Sequence, residues 1–148
     1  MQVAKVEQSD YPELIEVWEL SVRSTHDFLS EENILTLKPL ILEQYFDAVD
    51  LRCIKNNHNK ILSFIGIAKH NVEMLFVLPT EIGKGLGKVL MHYATTNLNT
   101  NKVDVNEQNT KALHFYQKLG FKIVGRSEFD GQGNPFPLIH MTLIDISN

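Results

Sequence analysis

The sequence predicts an α+β fold, in which helices are layered on one mixed and mostly antiparallel β-sheet. The first observation is the order of predicted elements: a strand, two helices, three strands, a helix, a strand, a helix and two strands. The second is a cluster of turn-forming residues between two apolar runs, which predicts an antiparallel hairpin. The third is size, because 148 residues with 43% hydrophobic and 22% charged content form one buried core. We therefore expect about seven strands and about four helices in a single domain over residues 1–148.

The first third of the chain predicts one strand and two helices. Residues 2–6 form a short apolar strand. Asp10 as an N-cap, followed by a Pro and by Glu13, predicts the start of the first helix. Residues 30–45 predict a second helix that begins with a capping serine. Pro39 lies inside this segment, so we expect a kink or a break there.

The rest of the chain predicts the remaining strands and two further helices. Residues 51–55 and 61–68 flank the turn at 56–60 and form the hairpin. Further strands are predicted over residues 72–78, 102–105, 121–129 and 138–146, and helices over residues 86–98 and 109–118. The last two strands are joined by a turn at 130–134, and we expect them to pair antiparallel. Cys53, the single cysteine, lies in an apolar strand and is predicted to be a core residue.

A stretch of three alternate glycines carries most of the functional information. Gly83, Gly85 and Gly87 follow an apolar strand and lead directly into a helix. Glycines let the main chain approach a ligand without an intervening Cβ, and a helix start adds unpaired N–H groups and a dipole. This arrangement predicts a phosphate or pyrophosphate site and therefore a nucleotide-type cofactor. A flexible strand-to-helix turn without a ligand is the alternative.

The spacing of this loop excludes two familiar nucleotide motifs. A P-loop needs Ser or Thr after its Gly-Lys pair, and neither residue follows Lys88. A dinucleotide-binding fingerprint needs a third glycine at the position that Leu90 holds. We therefore set aside both a P-loop and a dinucleotide-binding site.

A second motif follows further along the chain. Asn109, Ala112 and Tyr116 are three and four residues apart, so they lie along one face of the predicted helix. The small Ala112 leaves room on this face for a thin ligand arm between two polar groups. Gly120 ends the helix as a C-cap. We interpret Phe115 as ordinary core packing and Tyr116 as a ligand-facing residue.

These two motifs together resemble the signatures of the GNAT (GCN5-related) N-acetyltransferases, in a small bacterial-type single-domain form. The glycine loop is similar to their acyl-CoA pyrophosphate loop, usually Gln/Arg-x-x-Gly-x-Gly/Ala, although Ile82 replaces the Gln or Arg. Residues 109–121 are similar to the Asn-x-x-Ala-x-x-Phe-Tyr helix closed by Leu-Gly-Phe. The resemblance covers residues 71–125 and implies the GNAT fold, with the sheet splayed between the fourth and fifth strands.

The resemblance implies an acetyl-CoA-dependent N-acetyltransferase. A primary amine of a small molecule or peptide would attack the thioester directly in a ternary complex, and Tyr116 would protonate the departing thiolate. Asn109 would bond the pantetheine amides, and Lys84 and Lys88 would add positive charge near the phosphates, unless they are only surface residues. By the same resemblance, backbone N–H groups of Phe76, Val77 and Leu78 would hold the pantetheine arm. The implied cofactor-binding residues are Phe76, Val77, Leu78, Ile82, Gly83, Lys84, Gly85, Leu86, Gly87, Lys88, Asn109, Ala112 and Tyr116.

Two residues compete for the role of general base. By resemblance, Glu73 occupies the position where many GNAT enzymes carry a Glu that takes the amine proton through water; an exposed strand glutamate is the alternative. His26 lies between the first two helices, where the family admits the acceptor; a buried capping histidine is the alternative. By the same analogy, residues 25–37 and 130–140 line the acceptor side. The implied substrate-binding residues are His26, Phe28, Asn106 and His140. A turn-forming role is the alternative for Asn106, and His140 on the last strand faces either the core or the acceptor pocket.

Composition disfavours several other kinds of partner. The net charge of −4 and the lack of a basic run interleaved with aromatics argue against nucleic acid. The sequence has no apolar stretch of membrane length and no leader, so we expect no membrane partner and a cytoplasmic location. His58, His70, His92 and His114 show no metal-ligand spacing, so we expect no metal.

Two other functions and one question of assembly stay open at this point. An acyl-CoA-binding sensor or regulatory module with little catalysis would share both motifs, and a protein that binds another nucleotide would share the glycine loop. The acceptor amine is not fixed by the sequence. A homodimer is common in the family, and no sequence feature decides it here.

Overall fold

The computed structural model describes residues 2–144, and within that range it contains seven strands and four α-helices. The strands are β1 (Val3–Lys5), β2 (Asp50–Lys55), β3 (Ile61–Ala68), β4 (Asn71–Val77), β5 (Lys102–Asn106), β6 (Phe121–Ser127) and β7 (Leu138–Leu143). The helices are α1 (Tyr11–Thr25), α2 (Glu31–Leu40), α3 (Leu86–Asn97) and α4 (Thr110–Lys118). The predicted α+β class and the order of elements are confirmed. The last strand was predicted to reach residue 146, and positions 145 and 146 fall outside the described residues.

All seven strands form one sheet in the order β1-β2-β3-β4-β5-β7-β6. Every neighbouring pair is antiparallel except β4 and β5, which run parallel. The β4–β5 pairing consists only of Asn71 with Lys102 and Val72 with Val103 in the part of the chain that the structure describes. Beyond this point the two strands diverge, so the predicted splay between the fourth and fifth strands is confirmed. The resulting opening lies at the middle of the sheet.

The first helix starts where the sequence predicts, but the side chains of Asp10 and Glu13 do not cap it. The Asp10 side chain accepts a hydrogen bond from the N–H of Glu7 at 2.9 Å rather than capping α1. The Glu13 carboxylate accepts the N–H of Ile61 at 2.8 Å, which attaches α1 to the start of β3. Asp10 therefore occupies the predicted N-cap position, but neither its side chain nor that of Glu13 caps the helix. The helix still begins there because its second residue is a proline, whose fixed φ suits the first helical turn.

The second helix is shorter than predicted, and Pro39 explains why. Ser30 caps α2, with its side chain accepting the N–H of Asn33 at 3.1 Å. The α-helix ends at Leu40, one residue after the proline, because proline has no N–H to donate to the preceding turn. The chain then widens into a π-helical turn over Ile41–Tyr45 and continues as a 3-10 turn over Phe46–Ala48.

Charged side chains hold α1 and α2 together on the surface. The guanidinium of Arg23 donates to both carboxylate oxygens of Glu31, at 2.6 and 2.8 Å, and also to Glu19. Lys38 of α2 donates to Glu19 at 2.5 Å. These bonds fix the ends of the segment between the two helices, which contains His26 and Phe28. In the core beneath, Cys53 is fully buried as predicted, and burial raises the pKa of its thiol.

Candidate active site

The divergence of β4 and β5 opens two cavities that meet inside the sheet. One, which we call the acidic cavity, has a volume of about 400 Å³ and carries four carboxylates on its wall. The other, the glycine-loop cavity, has a volume of about 500 Å³ and reaches the loop before α3. The residues that line both cavities, and so mark their junction, are His26, Leu75, Phe76, Asn109, Ala112 and Tyr116.

Most of the site residues predicted from the sequence line one or both of these cavities. Those that do are His26, Phe28, Glu73, Phe76, Val77, Ile82, Gly87, Asn106, Asn109, Ala112 and Tyr116. The others are Leu78, Gly83, Lys84, Gly85, Leu86, Lys88 and His140. The two motifs and the segment before α2 are therefore brought together at one place.

The glycine loop has the backbone geometry of a helix start that presents N–H groups. Gly83 and Gly85 adopt φ values of 88° and 82°, a left-handed conformation that other residues rarely take. Gly85 is the N-cap of α3, and its carbonyl accepts the N–H of Val89 at 3.0 Å as the first helical bond. The preceding N–H groups of the first turn have no carbonyl within the helix to bond. They point towards the position where an anion would be stabilised.

Basic side chains near the loop are arranged differently from the prediction. The ammonium of Lys84 lies 3.4 Å from the carboxylate of Glu81 and is mostly exposed. Lys84 and Lys88 do not line the glycine-loop cavity, whereas Lys111 on α4 does. Ile82, which replaces the polar residue of the family motif, lines the cavity with 54% of its surface exposed. Lys111 is not one of the defining residues of either motif, so no sequence pattern would have singled it out.

The backbone of β4 supplies a different set of donors from the one predicted. The N–H of Leu78 donates to the carbonyl of Leu62 on β3 at 2.9 Å, so it is not available to a ligand. Antiparallel pairing alternates, so Phe76, two residues earlier and opposite Phe64, also faces β3. Leu75 and Val77 therefore direct their N–H groups away from β3, into the opening. The N–H groups of Leu78 and Phe76 are therefore not available to a ligand, which corrects their predicted role as backbone donors. The geometry is compatible with the predicted role of Val77, which stays a prediction, and Leu75 is a further donor position that was not predicted from the sequence.

Tyr116 is held rigidly at the junction of the two cavities. Its ring packs edge-on against Phe115 at a centroid distance of 5.0 Å and against Phe121 at 5.6 Å. Only 5% of its surface is exposed, and burial raises the pKa of its hydroxyl well above the usual range. The phenol is therefore protonated at neutral pH and can donate a proton. Phe115 packs as predicted and additionally lines the glycine-loop cavity.

Asn109 begins the helix that carries Tyr116, and this role fixes its amide. Its Oδ1 accepts the backbone N–H of Ala112 at 3.1 Å, as an N-cap. A backbone N–H can only donate, so the oxygen must face Ala112 and the amide nitrogen must point the other way. The Nδ2 group lies 3.5 Å from Nε2 of His26. Asn109 thus joins α4 to the segment after α1.

His26 lies between two aromatic rings at the same junction. Its ring centroid is 5.3 Å from that of Phe28 and 6.1 Å from that of Phe76. Its Nδ1 atom lies 2.7 Å from the hydroxyl of Thr25. Burial lowers the pKa of the imidazole, and the nearby negative charge of Asp27 opposes this effect. His26 is therefore biased towards the neutral form, which can accept a proton.

The acidic cavity brings together carboxylates from four separate segments of the chain. Desolvation raises the pKa of the Glu73 carboxyl, the negative charge of Asp104 raises it further, and a hydrogen bond from Asn71 opposes both. The four carboxylates of the wall are Glu32, Glu73, Asp104 and Asp130. A cavity with this lining favours a cationic ligand.

Two of the predicted substrate-binding residues have structural roles in addition to, or instead of, the predicted one. Asn106 lines the acidic cavity, but its Oδ1 accepts the N–H of Gln108 at 2.9 Å, as a turn-forming Asn does. His140 does not line either cavity, so its prediction is not supported. Its two ring nitrogens lie 2.6 Å from Asp104 on β5 and 2.6 Å from Ser127 on β6. Asp104, which is bonded to His140, lines the acidic cavity, whereas His140 itself does not.

Side chains from the turn between β6 and β7 close the acidic cavity from outside. The ring of Phe136 lies 6.0 Å from that of Phe28, which follows α1. Gln132 is hydrogen-bonded to the hydroxyl of Tyr45, in the π-helical turn that follows Pro39. The break in the second helix therefore places Tyr45 where it can contact this turn. Both segments predicted to line the acceptor side, residues 25–37 and 130–140, contribute residues to this cavity wall, although positions 139 and 140 do not.

The described residues contain neither a group of metal ligands nor a helix that could span a membrane. Within residues 2–144, no three His, Cys, Asp or Glu side chains are grouped as metal ligands would be. No helix in that same range is both long and apolar enough to cross a membrane.

Comparison with known proteins gives a consistent result. The profile of the acetyltransferase (GNAT) domain matches residues 30–144. The chain is 37% identical over 128 residues to peptidyl-lysine N-acetyltransferase YjaB of Salmonella typhimurium, covering 86% of this chain and 88% of the relative. The solution structure of apo YjaB from Escherichia coli aligns with a TM-score of 0.83 and 33% identity over 97% of both chains.

A more distant likeness concerns the fold. The crystal structure of PaiA N-acetyltransferase from Thermoplasma acidophilum, in complex with coenzyme A, aligns with a TM-score of 0.73 and 22% identity. The alignment covers 97% of this chain and 98% of that one. Domain profile, relatives and fold all agree with the two motifs and with the divergence of the sheet. The chain therefore belongs to the GNAT acetyltransferase family and is an N-acetyltransferase.

Proposed function

We propose that this single-domain enzyme transfers an acetyl group from acetyl-CoA to the side-chain amine of a lysine in a peptide or protein. The observation that carries the proposal is the meeting of the two cavities at Tyr116. One cavity leads to a helix start suited to phosphates, and the other is lined by carboxylates suited to an ammonium group. Donor and acceptor would therefore approach from different sides and react directly in a ternary complex.

The glycine-loop cavity would hold the coenzyme. The pyrophosphate would bind at the start of α3, and the pantetheine arm would extend along β4 with its amides paired to the backbone of Leu75 and Val77. Lys111 lines the same cavity and would add positive charge for a phosphate. Backbone N–H groups at the opening would polarise the thioester carbonyl.

The acidic cavity would hold the acceptor. A lysine side chain is long, thin and cationic, and the cavity offers an aromatic entrance at Phe28 and Phe136 with carboxylates inside. The relatives named above as peptidyl-lysine N-acetyltransferases support the same acceptor class. A neutral amine would gain less from this lining.

The reaction then needs one proton acceptor and one proton donor. The ammonium must lose a proton before its nitrogen attacks the thioester carbonyl, forming the N–C bond and breaking the C–S bond. Tyr116 would give its proton to the departing thiolate. We place His26 ahead of Glu73 as the proton acceptor because His26 lines both cavities, whereas Glu73 lines only the acidic one.

Consumption of acetyl-CoA measured with a lysine-containing peptide, the same peptide with acetylated lysine, a free amino acid and a polyamine tests the acceptor class. We expect the unmodified lysyl peptide to be the best substrate, with the product identified by mass spectrometry as acetyl-lysine. Equal rates with the acetylated control peptide would contradict lysine as the acceptor.

The pH dependence of kcat/KM tests the choice of base. A base works only when deprotonated, so activity should be present above its pKa and lost as the pH falls through it. Because burial lowers the pKa of His26 from 6.5, we expect this loss below pH 6.5. The loss should disappear in His26→Gln and persist in Glu73→Gln. The reverse pattern would make Glu73 the base.

A further inference from the structure

The position of His26 depends on a hydroxyl group that belongs to neither motif. We propose that Thr25 is a positioning residue that holds His26 in the Nδ1–H tautomer, with the lone pair of Nε2 facing the junction of the two cavities. This inference rests on the proposed acetyl transfer at that junction. It concerns how the imidazole is prepared for proton transfer, rather than which group it contacts in the substrate.

The backbone N–H of Ala112 determines the orientation of the Asn109 amide. The N–H of Ala112 must donate, and it donates to Oδ1 of Asn109 at 3.1 Å. The amide nitrogen Nδ2 of Asn109 therefore points towards Nε2 of His26, 3.5 Å away. An N–H on Nε2 would face the amide hydrogens of Asn109, so Nε2 is the acceptor of this pair.

The hydrogen of the neutral His26 ring therefore lies on the other nitrogen, Nδ1. In a neutral imidazole one nitrogen carries the hydrogen and the other does not, so Nδ1 of His26 carries it. The hydroxyl oxygen of Thr25, 2.7 Å from Nδ1, must then accept this hydrogen bond. The hydroxyl proton of Thr25 is left to donate to the carbonyl of Ser21 at 2.8 Å. Only this tautomer gives each of the four contacts from Ser21 to Ala112 one donor and one acceptor.

The charged groups around His26 are compatible with a neutral ring. Asp27 is adjacent in sequence and favours the charged form, whereas burial of the ring favours the neutral one. Carboxylates of the acidic cavity and Lys111 of the glycine-loop cavity lie on the walls that His26 shares. Phe28 and Phe76 flank the ring itself and carry no charge.

The tautomer decides whether Nε2 of His26 can act as a base. With Nδ1–H bonded to Thr25, Nε2 keeps its lone pair. When the acceptor amine displaces the 3.5 Å contact with Nδ2 of Asn109, Nε2 can take a proton from the amine, and the resulting imidazolium keeps its bond from Nδ1 to the Thr25 oxygen. In the other tautomer Nε2 already carries a hydrogen and cannot act as a base at the junction. Orientation of a catalytic imidazole by a hydrogen bond at its other nitrogen is a general feature of proton transfer in proteins.

Nitrogen-15 NMR of the full chain, above the pKa of His26, tests the proposal directly through the chemical shifts of the two ring nitrogens. We expect the Nδ1–H tautomer in the wild-type protein and a mixture or the Nε2–H tautomer in Thr25→Val, which keeps the shape but removes the hydroxyl. The kcat/KM for a lysyl peptide should fall about 10-fold in this variant, part of the usual contribution of a general base. The KM for acetyl-CoA should stay within about twofold.

Matched variants separate positioning from folding. Thr25→Ser restores a hydroxyl and should restore both the tautomer and the activity. Thr95→Val removes a comparable hydroxyl on α3, which donates to the carbonyl of His92 at 3.2 Å, and should change neither. A wild-type Nε2–H tautomer would overturn the proposal, as would a tautomer change in Thr25→Val without loss of kcat/KM. Failure of the wild-type enzyme to acetylate any amine would instead overturn the proposed function, since the tautomer is measured without substrate.

Discussion

The two cavities of this enzyme are built in contrasting ways. The glycine-loop cavity lies between β4, the loop before α3 and the start of α4, with the end of α1 as a further wall, and the groups proposed to hold the coenzyme there belong mainly to the backbone. The acidic cavity is assembled from the segment after α1, from α2, from both strands at the opening and from the turn after β6. Its key groups are side chains, above all carboxylates. The first arrangement suits a ligand that is constant across a family, and the second can change its acceptor by changing a few side chains.

Substitution of Tyr116 affects the point where the cavities meet and should have the largest effect. Tyr116→Phe keeps the ring contacts with Phe115 and Phe121 but removes the proton donor. We expect kcat to fall about 100-fold, within the usual range for general acid catalysis, with affinity for acetyl-CoA within a few-fold of wild type. Single-turnover kinetics with the best acceptor measures the chemical step. Tyr93→Phe, at a tyrosine that lines neither cavity, is the control.

A wild-type single-turnover rate in Tyr116→Phe would show that the hydroxyl takes no part in the chemistry. The ring would then be a packing residue, and the proton for the thiolate would have to come from another group. This outcome would leave the contrast between the cavities intact but remove the residue that links them.

Removal of one charge from the acidic cavity should affect the acceptor alone. Asp104→Asn keeps an oxygen for the bond from His140 but loses the negative charge that faces a lysine ammonium. We expect the KM for a lysyl peptide to rise about 10-fold, equivalent to about 1.4 kcal/mol, with the KM for acetyl-CoA unchanged. Steady-state kinetics with each substrate varied in turn measures both constants. Glu43→Gln, at a carboxylate outside both cavities, should change neither, and an equal rise in both KM values for Asp104→Asn would refute the separation.

A methyl group added to the glycine-loop cavity should raise the KM for acetyl-CoA and leave the KM for the peptide unchanged. This effect should be smaller than that of Asp104→Asn. Gly87 has an ordinary φ, and an added Cβ would lie 3.3 Å from the ring of Phe115, which the ring can relieve by a small movement. Gly87→Ala should raise the KM for acetyl-CoA about fivefold, because the methyl group narrows the approach to the backbone N–H groups. Gly131→Ala, where the added Cβ meets nothing within 4 Å, is the matched control.

A change in peptide KM without a change in acetyl-CoA KM would contradict this assignment for Gly87. Gly85 is less suitable for the experiment, although its position in the motif is equally prominent. Its φ of 82° means that any side chain strains the backbone whatever ligand is bound.

The difference in construction also explains what could be predicted from the sequence. The glycine loop and the helix face with Ala112 and Tyr116 are local patterns, so spacing alone located them. Whether Phe76 or Leu75 offers its N–H to a ligand depends on the register of β4 against β3. Local sequence spacing does not determine this register. The position of His140 on the last strand allows it to face either the core or the acceptor pocket, and in the structure it bonds to Asp104 across the strands and lines neither cavity.

Residues of the acidic cavity were harder to predict for the same reason. Asp104 and Thr25 belong to no motif. Asp104 contacts His140, which is distant in sequence, and the role of Thr25 depends on the orientation of the adjacent His26 ring. The end of the second helix was predictable as a break at Pro39, yet the π-helical turn that brings Tyr45 to Gln132 was not. Contacts between distant segments determine this part of the site.

The short pairing of β4 with β5 also has a consequence for how the molecule unfolds. Two residues of each strand join the halves of the sheet there, so backbone bonding contributes little to cohesion across the middle of the molecule. A coenzyme bound along β4 would occupy the position of a missing strand and would pair with amides that the protein leaves unpaired. Slower amide hydrogen exchange would then spread from the ligand into both halves of the sheet. The substrate would serve for part of each catalytic cycle as a structural element of the enzyme.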